Sequence, residues 1–326
     1  MTINILICII GFVLLYYGAE WLVKGSSSLA KNLGVAPIVI GLTVVAFGTS
    51  APELVVSLIS SIKGKSMIAV GNVVGSNICN IALVLGMAAL LQPIVSHRTV
   101  VKRDIPIMLG ISVYLLALSA NSTLGRIEGA TLFIGIIIYT FYNYRSARGG
   151  SDSSADAQVS EVVAELEDIG FVESRSKQIG LITAGIVGVV LGAELVVDAA
   201  VKIMTVLGVN EKFIGLTIVA FGTSLPELAT SVVAAMRKEM DISIGNLVGS
   251  NVFNILSVIG VAALVRPIPI PGGFFGSGLW IDYMVMLFTS FLPWVMLLKK
   301  PVITRANGAI LLFCYFGYLG YLIAKA

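Results

Sequence analysis

Apolar residues run through this chain in stretches of about twenty, the length of α-helix needed to cross roughly 30 Å of hydrocarbon. Ten such stretches are read, at about 3–23, 37–62, 67–91, 104–120, 126–144, 178–200, 212–236, 242–265, 279–298 and 303–324. None shows the alternation, in segments of about ten residues, that marks a membrane β-strand. The expected fold class is an all-α membrane protein with ten transmembrane helices. The first stretch starts near Ile3 with no basic segment before it and no small-residue cleavage site, so it reads as a span and not as a signal peptide. One long polar stretch, Arg145 to Lys177, interrupts the series. It carries Asp156, Glu161, Glu165, Glu167 and Asp168 and reads as a solvated acidic linker, within which Val159, Val162, Val163 and Leu166 have the spacing of a short amphipathic helix. The chain thus divides into a five-helix unit over 1–145, a linker over 146–177 and a second five-helix unit over 178–326.

The two units are copies. Gly41-Leu-Thr-Val-Val-Ala-Phe-Gly-Thr-Ser-Ala-Pro-Glu-Leu-Val-Val-Ser57 returns 174 residues later as Gly215-Leu-Thr-Ile-Val-Ala-Phe-Gly-Thr-Ser-Leu-Pro-Glu-Leu-Ala-Thr-Ser231, identical at 13 of 17 positions. At the same offset, Gly71-Asn-Val-Val-Gly-Ser-Asn-Ile-Cys-Asn-Ile81 returns as Gly245-Asn-Leu-Val-Gly-Ser-Asn-Val-Phe-Asn-Ile255. Gly18-Ala-Glu20 with Gly192-Ala-Glu194, and Ala88-Ala-Leu90 with Ala262-Ala-Leu264, hold that register. Five is an odd number, so the second copy enters the membrane from the opposite side, and two inverted-topology repeats are expected.

Composition agrees with the pattern: of 326 residues, 57% are hydrophobic and 12% charged, far from the soluble norm of about a quarter charged. A net charge of +3 implies no nucleic acid or other polyanionic partner. Cys8, Cys79 and Cys314 all lie in apolar runs, without metal-binding spacing or a disulfide framework. With the amino terminus outside, the cytoplasmic loops hold fourteen Lys and Arg and the outer loops seven, so both termini are expected outside and the linker inside.

Glu53 and Glu227 sit within the second and seventh spans, with no Lys or Arg near them in those spans. A charge at membrane depth costs at least about 2.5–3.5 kcal/mol on insertion scales and needs a partner or a function. A bound cation is the simplest partner; protonated glutamates bonded between helices are the structural alternative. Each glutamate follows a proline, Pro52 or Pro226, which has no N–H to offer the carbonyl four residues back. The helices are expected to break around Gly48-Thr49-Ser50 and Gly222-Thr223-Ser224, freeing carbonyls from Ala46 to Gly48 and from Ala220 to Gly222. Ser76 with Asn80, and Ser250 with Asn254, are four apart and share a helix face. Gly71, Gly75, Gly245 and Gly249 fit small-residue helix packing. Carboxylate, amide, hydroxyl and carbonyl oxygens together suit hard cations such as Ca²⁺, Na⁺ or Mg²⁺ and disfavour Zn²⁺ or Cu⁺.

The duplicated Gly-Thr-Ser-x-Pro-Glu and Gly-Asn-x-x-Gly-Ser-Asn-x-x-Asn resemble the α-repeats of the sodium/calcium exchangers of the calcium:cation antiporter superfamily. The resemblance covers nearly the whole chain apart from the linker. It implies ten helices, inverted symmetry and sites where Na⁺ and Ca²⁺ compete, so that the chain acts as an antiporter by alternating access. By position, it implies that Glu53 and Glu227 are central Ca²⁺ ligands and that Thr49, Thr223 and the carbonyls of Ala46 and Ala220 are shared or flanking ligands. It further implies that Ser50, Ser76, Ser224 and Ser250 bind Na⁺, and that Asn80 and Asn254 are polar members of the central layer. Potassium-dependent members are acidic at the position of Asn254, which argues against K⁺ co-transport here. The large regulatory domains of animal exchangers are lacking, so a prokaryotic-type protein of a cell inner membrane is expected, acting as a monomer with the bilayer and its two ions as partners and without a cofactor.

Ca²⁺/H⁺ exchange is the alternative within that superfamily, and a passive cation channel the alternative outside it. No HExxH, GxSxG or phosphate-binding loop supports an enzyme. Among other charged residues, Glu20 with Lys24 and Asp198 with Lys202 have pairing spacing, Asp104 and Asp282 read as helix starts, and His97 as a solvated loop residue.

Overall fold

The computed structural model describes residues 1–149, 171–208 and 220–325. The linker acids Asp156 to Asp168, the amphipathic spacing of Val159 to Leu166, and the start of the seventh expected span lie outside the described residues.

Apolar stretches fold as helix because backbone N–H and C=O groups have no water to bond in hydrocarbon and must be satisfied within the segment. In chain order the helices are α1 (Thr2–Leu33), α2 (Pro37–Thr49), α3 (Ala51–Ile62), α4 (Ser66–Leu91), α5 (Ile105–Ser119), α6 (Arg126–Gly149), α7 (Arg175–Val206), α8 (Leu225–Met236), α9 (Met240–Val265), α10 (Leu279–Lys299) and α11 (Arg305–Lys325). Six of them, α1, α4, α7, α9, α10 and α11, are long and apolar enough to cross a membrane, and α2 with α3 form a seventh span bent by 47°. The other expected spans fall short of that measure among the described residues. α5 has 15 residues, α8 has 12, and α6 has the length but carries Tyr139, Tyr142, Asn143 and Tyr144 in its second half.

α1 and α7 have 32 residues each, about 48 Å at 1.5 Å per residue. Both outrun the expected spans, 3–23 and 178–200; in α1, polar residues after Lys24 are buried in helix instead of forming a loop. The Ser27 hydroxyl donates to Glu239, Ser28 Oγ accepts the Val172 N–H at 3.3 Å, and Gln178 Nε2 donates to the Ser28 carbonyl at 3.2 Å. Gly34, in the left-handed region at φ 65°, then ends α1. α1 and α7 touch backbone to backbone. A Cβ at Gly18 would lie 2.7 Å from the Val189 nitrogen, and one at Gly185 2.6 Å from the Leu22 nitrogen. Small residues permit such approach where apolar lipid gives no hydrophobic drive to helix association.

The most buried spans are α4 and α9. α4 is wrapped by α10 and α11, whereas α9 is wrapped by α5 and α6, so each repeat's outer helices enclose the other repeat's central one. Two short antiparallel pairings repeat the exchange. β1 (Ile94–Val95) pairs with β4 (Val302–Ile303), and β2 (Thr123–Leu124) with β3 (Ile268–Pro269). The interior is polar for its depth, burying Glu53, Glu227, Asn77, Asn80, Asn251 and Asn254, while Ile9, Phe12, Phe141, Phe288 and Phe313 face outward.

Three readings of charged residues are corrected. Glu20 pairs with Arg237 across the fold instead of with Lys24, because α1 packs on α8 at that level. His97 Nε2 lies 3.1 Å from Asp241 Oδ2, so it is engaged by the start of α9. Asp104 lies inside a π-helical turn, Val100–Asp104, where Arg103 Nε donates to it at 2.8 Å. Asp282 does occupy the first turn of its helix, and Tyr318 donates to it at 2.8 Å.

Candidate functional site

The two proline motifs break their helices at one residue each. Ser50 has φ −85° and ψ 9°, Ser224 φ −90° and ψ 6°, and new helices start at once with proline in the first turn. Both values lie in the sparsely populated bridge region between helix and strand. Glu53 and Glu227 thereby come to sit in the first turns of α3 and α8, where the positive end of the helix dipole favours a carboxylate. The carbonyl end of α2 points into the same region. Ala46, however, keeps a helical donor: its carbonyl accepts the Ser50 N–H at 3.0 Å and Thr49 Oγ1 at 3.4 Å. The expectation that proline frees it is therefore corrected, since the N–H that Pro52 lacks is the one facing Gly48. Among the described residues, Ala220–Gly222 is helical up to the second break.

The repeats reach across to each other. Ser50 Oγ donates to Glu227 Oε1 at 2.9 Å, and Ser250 Oγ lies 3.4 Å from the same oxygen. Thr49 Oγ1 donates to Asn246 Oδ1 at 3.0 Å and lies 3.4 Å from Ser250 Oγ. On the other side, Ser76 and Thr223 face Glu53. Seven buried oxygens of the predicted set have no hydrogen-bond partner among the described residues: both of Glu53, Oε2 of Glu227, Oδ1 of Asn80 and of Asn254, and Oγ of Ser76 and of Ser224. Buried polar atoms are nearly always satisfied, so a concentration of orphaned oxygens points to a ligand that accepts their lone pairs. No cluster of three or more His, Cys, Asp or Glu exists among the described residues, so two carboxylates and neutral oxygens are the donor set. The structure thus gathers Thr49, Ser50, Glu53, Ser76, Asn80, Thr223, Ser224, Glu227, Ser250 and Asn254 at the two helix breaks and the facing stretches of α4 and α9.

Four asparagines that sequence reasoning left aside hold this arrangement. Asn77 Nδ2 donates to the Asn251 carbonyl at 3.2 Å, and Asn251 Nδ2 to the Asn77 carbonyl at 3.2 Å. Asn80 Nδ2 donates to Asn251 Oδ1, and Asn254 Nδ2 to Asn77 Oδ1, both at 3.1 Å. These bonds explain why Asn80 and Asn254 each present only an oxygen. Asn72 Nδ2 donates to the Glu53 carbonyl at 3.2 Å and to Ser57 Oγ at 2.9 Å, and Asn246 Nδ2 to Ser231 Oγ at 3.0 Å. Their recurrence at the 174-residue offset was the available signal. Asn80 and Asn254 also lie in π-helical stretches, Cys79–Leu85 and Asn254–Ile259, a distortion common at functional sites. Asn77→Ala and Asn251→Ala should each destabilise the protein by about 1–2 kcal/mol, read as a lower thermal unfolding midpoint in detergent.

The two half-sites differ in exposure. Gly71 is exposed and Asn72 and Gly75 half-buried, whereas their mates Gly245, Asn246 and Gly249 are buried. A Cβ at Gly245 would lie 2.9 Å from the Ile38 carbonyl and one at Gly249 2.7 Å from the Leu42 carbonyl, as close packing requires. At Gly71 and Gly75 it would meet no described atom within 4 Å, and residues 212 and 216, the mates of Ile38 and Leu42, lie outside the described residues; the expected packing is seen at the second pair.

A profile of the family described as sodium/calcium exchanger protein matches residues 3–145 and 177–324. The putative antiporter CaxA of Alkalimonas amylolytica is 36% identical over 319 residues, covering 98% of each chain. The sodium/calcium exchanger MaX1 of Methanosarcina acetivorans is 33% identical, again covering 98% of each. A solved structure of the sodium-calcium exchanger NCX_Mj, soaked with Na⁺ and Ca²⁺, superposes with a TM-score of 0.81 at 32% identity, covering 98% of both chains.

Proposed function

The chain belongs to the sodium/calcium exchanger family, and from that premise we propose that it is a secondary antiporter that moves Ca²⁺ against Na⁺ by alternating access. The observation that carries this reading is the set of seven orphaned oxygens around two buried glutamates. Two ionised carboxylates neutralise one Ca²⁺, and neutral oxygens from both repeats raise the count toward the six to eight that Ca²⁺ takes. The same oxygens hold Na⁺ once Ca²⁺ has left, so the two ions compete and each ejects the other. Glu53 and Glu227 are the central ligands. Thr49, Thr223, Ser50, Ser76, Ser224 and Ser250, with the carbonyls of Ala46 and Ala220, flank them, and Asn80 and Asn254 complete the layer.

The architecture proposed is ten helices in two inverted repeats. It is supported by the 174-residue duplication, by five spans per copy and by the reciprocal bonds of Asn77 with Asn251. The charge count supports termini outside, with the α8–α9 turn in the cytoplasm and the α3–α4 turn outside. Burial beside Glu227 then corresponds to a protein sealed inward. A prokaryotic inner membrane and a monomer complete the proposal.

Radiolabelled Ca²⁺ uptake into proteoliposomes preloaded with Na⁺ tests it, against vesicles preloaded with K⁺ or holding only a proton gradient. Uptake should require internal Na⁺ and reverse with its gradient. Uptake driven by protons alone would transfer the chain to Ca²⁺/H⁺ exchange, and flux indifferent to either gradient would indicate a channel.

A further inference from the structure

Two ties fasten the cytoplasmic half of α1 to the α8–α9 turn: Arg237 Nη2 with Glu20 Oε1, and the Ser27 hydroxyl with Glu239. Both residues of the ion pair have repeat mates that keep the pairing chemistry. At the 174-residue offset, Glu20 becomes Glu194 on α7 and Arg237 becomes Lys63 on the α3–α4 turn. Yet Glu194 and Lys63 are both exposed and form no ion pair with each other, while Glu20 is half-buried against its partner. Identical register and opposite state describe a pair of contacts of which one is made and the other broken.

The unmade pair includes Lys63, on the turn that leads into exposed Gly71, and the made pair includes Arg237, on the turn that leads into buried Gly245 and Gly249. Both glutamates ride on the α1–α7 pair, whose backbones are in direct contact at Gly18, Gly185 and Gly192, so they move together. Both basic partners stand on turns of the surrounding helices. A displacement of the α1–α7 pair along its own axis that brings Glu194 to Lys63 draws Glu20 away from Arg237.

We propose that Glu20–Arg237 and Glu194–Lys63 are alternating gate latches, the first closing the cytoplasmic side and the second the outer side. The inference rests on the exchange reading and on the inverted arrangement of repeats. The latches are unequal: the mates of Ser27 and Glu239 are Val201 and Lys65, which cannot reproduce the second tie. The outward-open state is therefore the resting one in the absence of ions.

Cross-linking tests this in a variant carrying Cys8→Ala, Cys79→Ala and Cys314→Ala. Glu20→Cys with Arg237→Cys should be joined by a short bifunctional thiol reagent in ion-free protein, whereas Glu194→Cys with Lys63→Cys should react at least about tenfold more slowly. In a chain bearing all four cysteines, intact mass should show one cross-link per molecule, never both. In the second-pair variant, Glu20→Gln should accelerate cross-linking severalfold, and Glu20→Arg with Arg237→Glu should slow it again. Equal rates for the two pairs, or both cross-links in one molecule, would overturn the latch. Cross-linking needs no ion flux, so exclusive cross-links in a chain that fails to exchange Na⁺ for Ca²⁺ would refute the exchange reading alone.

Discussion

Glu53→Gln and Glu227→Gln should each abolish Ca²⁺ uptake while leaving a folded, extractable protein. Glutamine keeps the volume and one oxygen but removes the charge, so a bound Ca²⁺ would be left half-neutralised inside the membrane. Removing one member of a buried charge set costs about 3–5 kcal/mol, a factor of at least about one hundred in affinity. Folding is spared because, among the described residues, no hydrogen bond to a Glu53 oxygen is made, and Glu227 accepts through Oε1, which the amide oxygen can replace. The measurement is initial uptake into Na⁺-loaded vesicles alongside a thermal unfolding scan. Wild-type uptake in either variant would remove that glutamate from the site, and a collapsed melting curve would make it a structural residue.

Gly185→Val is expected to have the largest effect on stability. Its added Cβ would lie within 2.8 Å of the Leu22 nitrogen, the Leu22 Cβ and the Gly18 carbonyl, and backbone cannot swing aside as a side-chain tip can. The helices must separate along a crossing that also includes Gly11, Gly18, Gly188 and Gly192, losing contacts along the whole pair. Overpacking alone costs about 1–3 kcal/mol, and a forced backbone shift takes the expected loss to about 3 kcal/mol or more. Gly180→Ala, on the same helix where a Cβ meets no described atom within 4 Å, should change stability by no more than about 0.5 kcal/mol. Equal melting temperatures for the two variants would contradict the close approach of α1 and α7.

The parts legible in the sequence were those written twice. Pro52-Glu53 and Pro226-Glu227 announced broken helices and buried carboxylates, and the breaks fall at Ser50 and Ser224 within the expected segments. Illegible was the crossing-over, in which Ser50 serves Glu227, because such a contact depends on how two distant segments dock and leaves no local pattern. The bracing roles of Asn77 and Asn251 were hidden in plain motif: an asparagine on a helix gives no sign whether its amide meets an ion or another backbone. Polarity misled at Ser27 and Ser28, where residues that suit a loop are satisfied inside a long helix by Glu239, Val172 and Gln178. Spacing misled at Glu20, whose neighbour one turn along lost to an arginine from the other repeat.

The exchange of outer helices between the repeats also sets a schedule for synthesis. α4 emerges early, yet Gly86 on it is packed against Gly308 on α11, a helix that the ribosome makes far later. The short strand after α4 likewise waits for Val302–Ile303. The first repeat therefore cannot be finished when it leaves the translocation machinery; its central helix must be sheltered until the carboxyl-terminal residues arrive. Truncation near the carboxyl terminus should strike the amino-terminal half of the molecule as hard as its own.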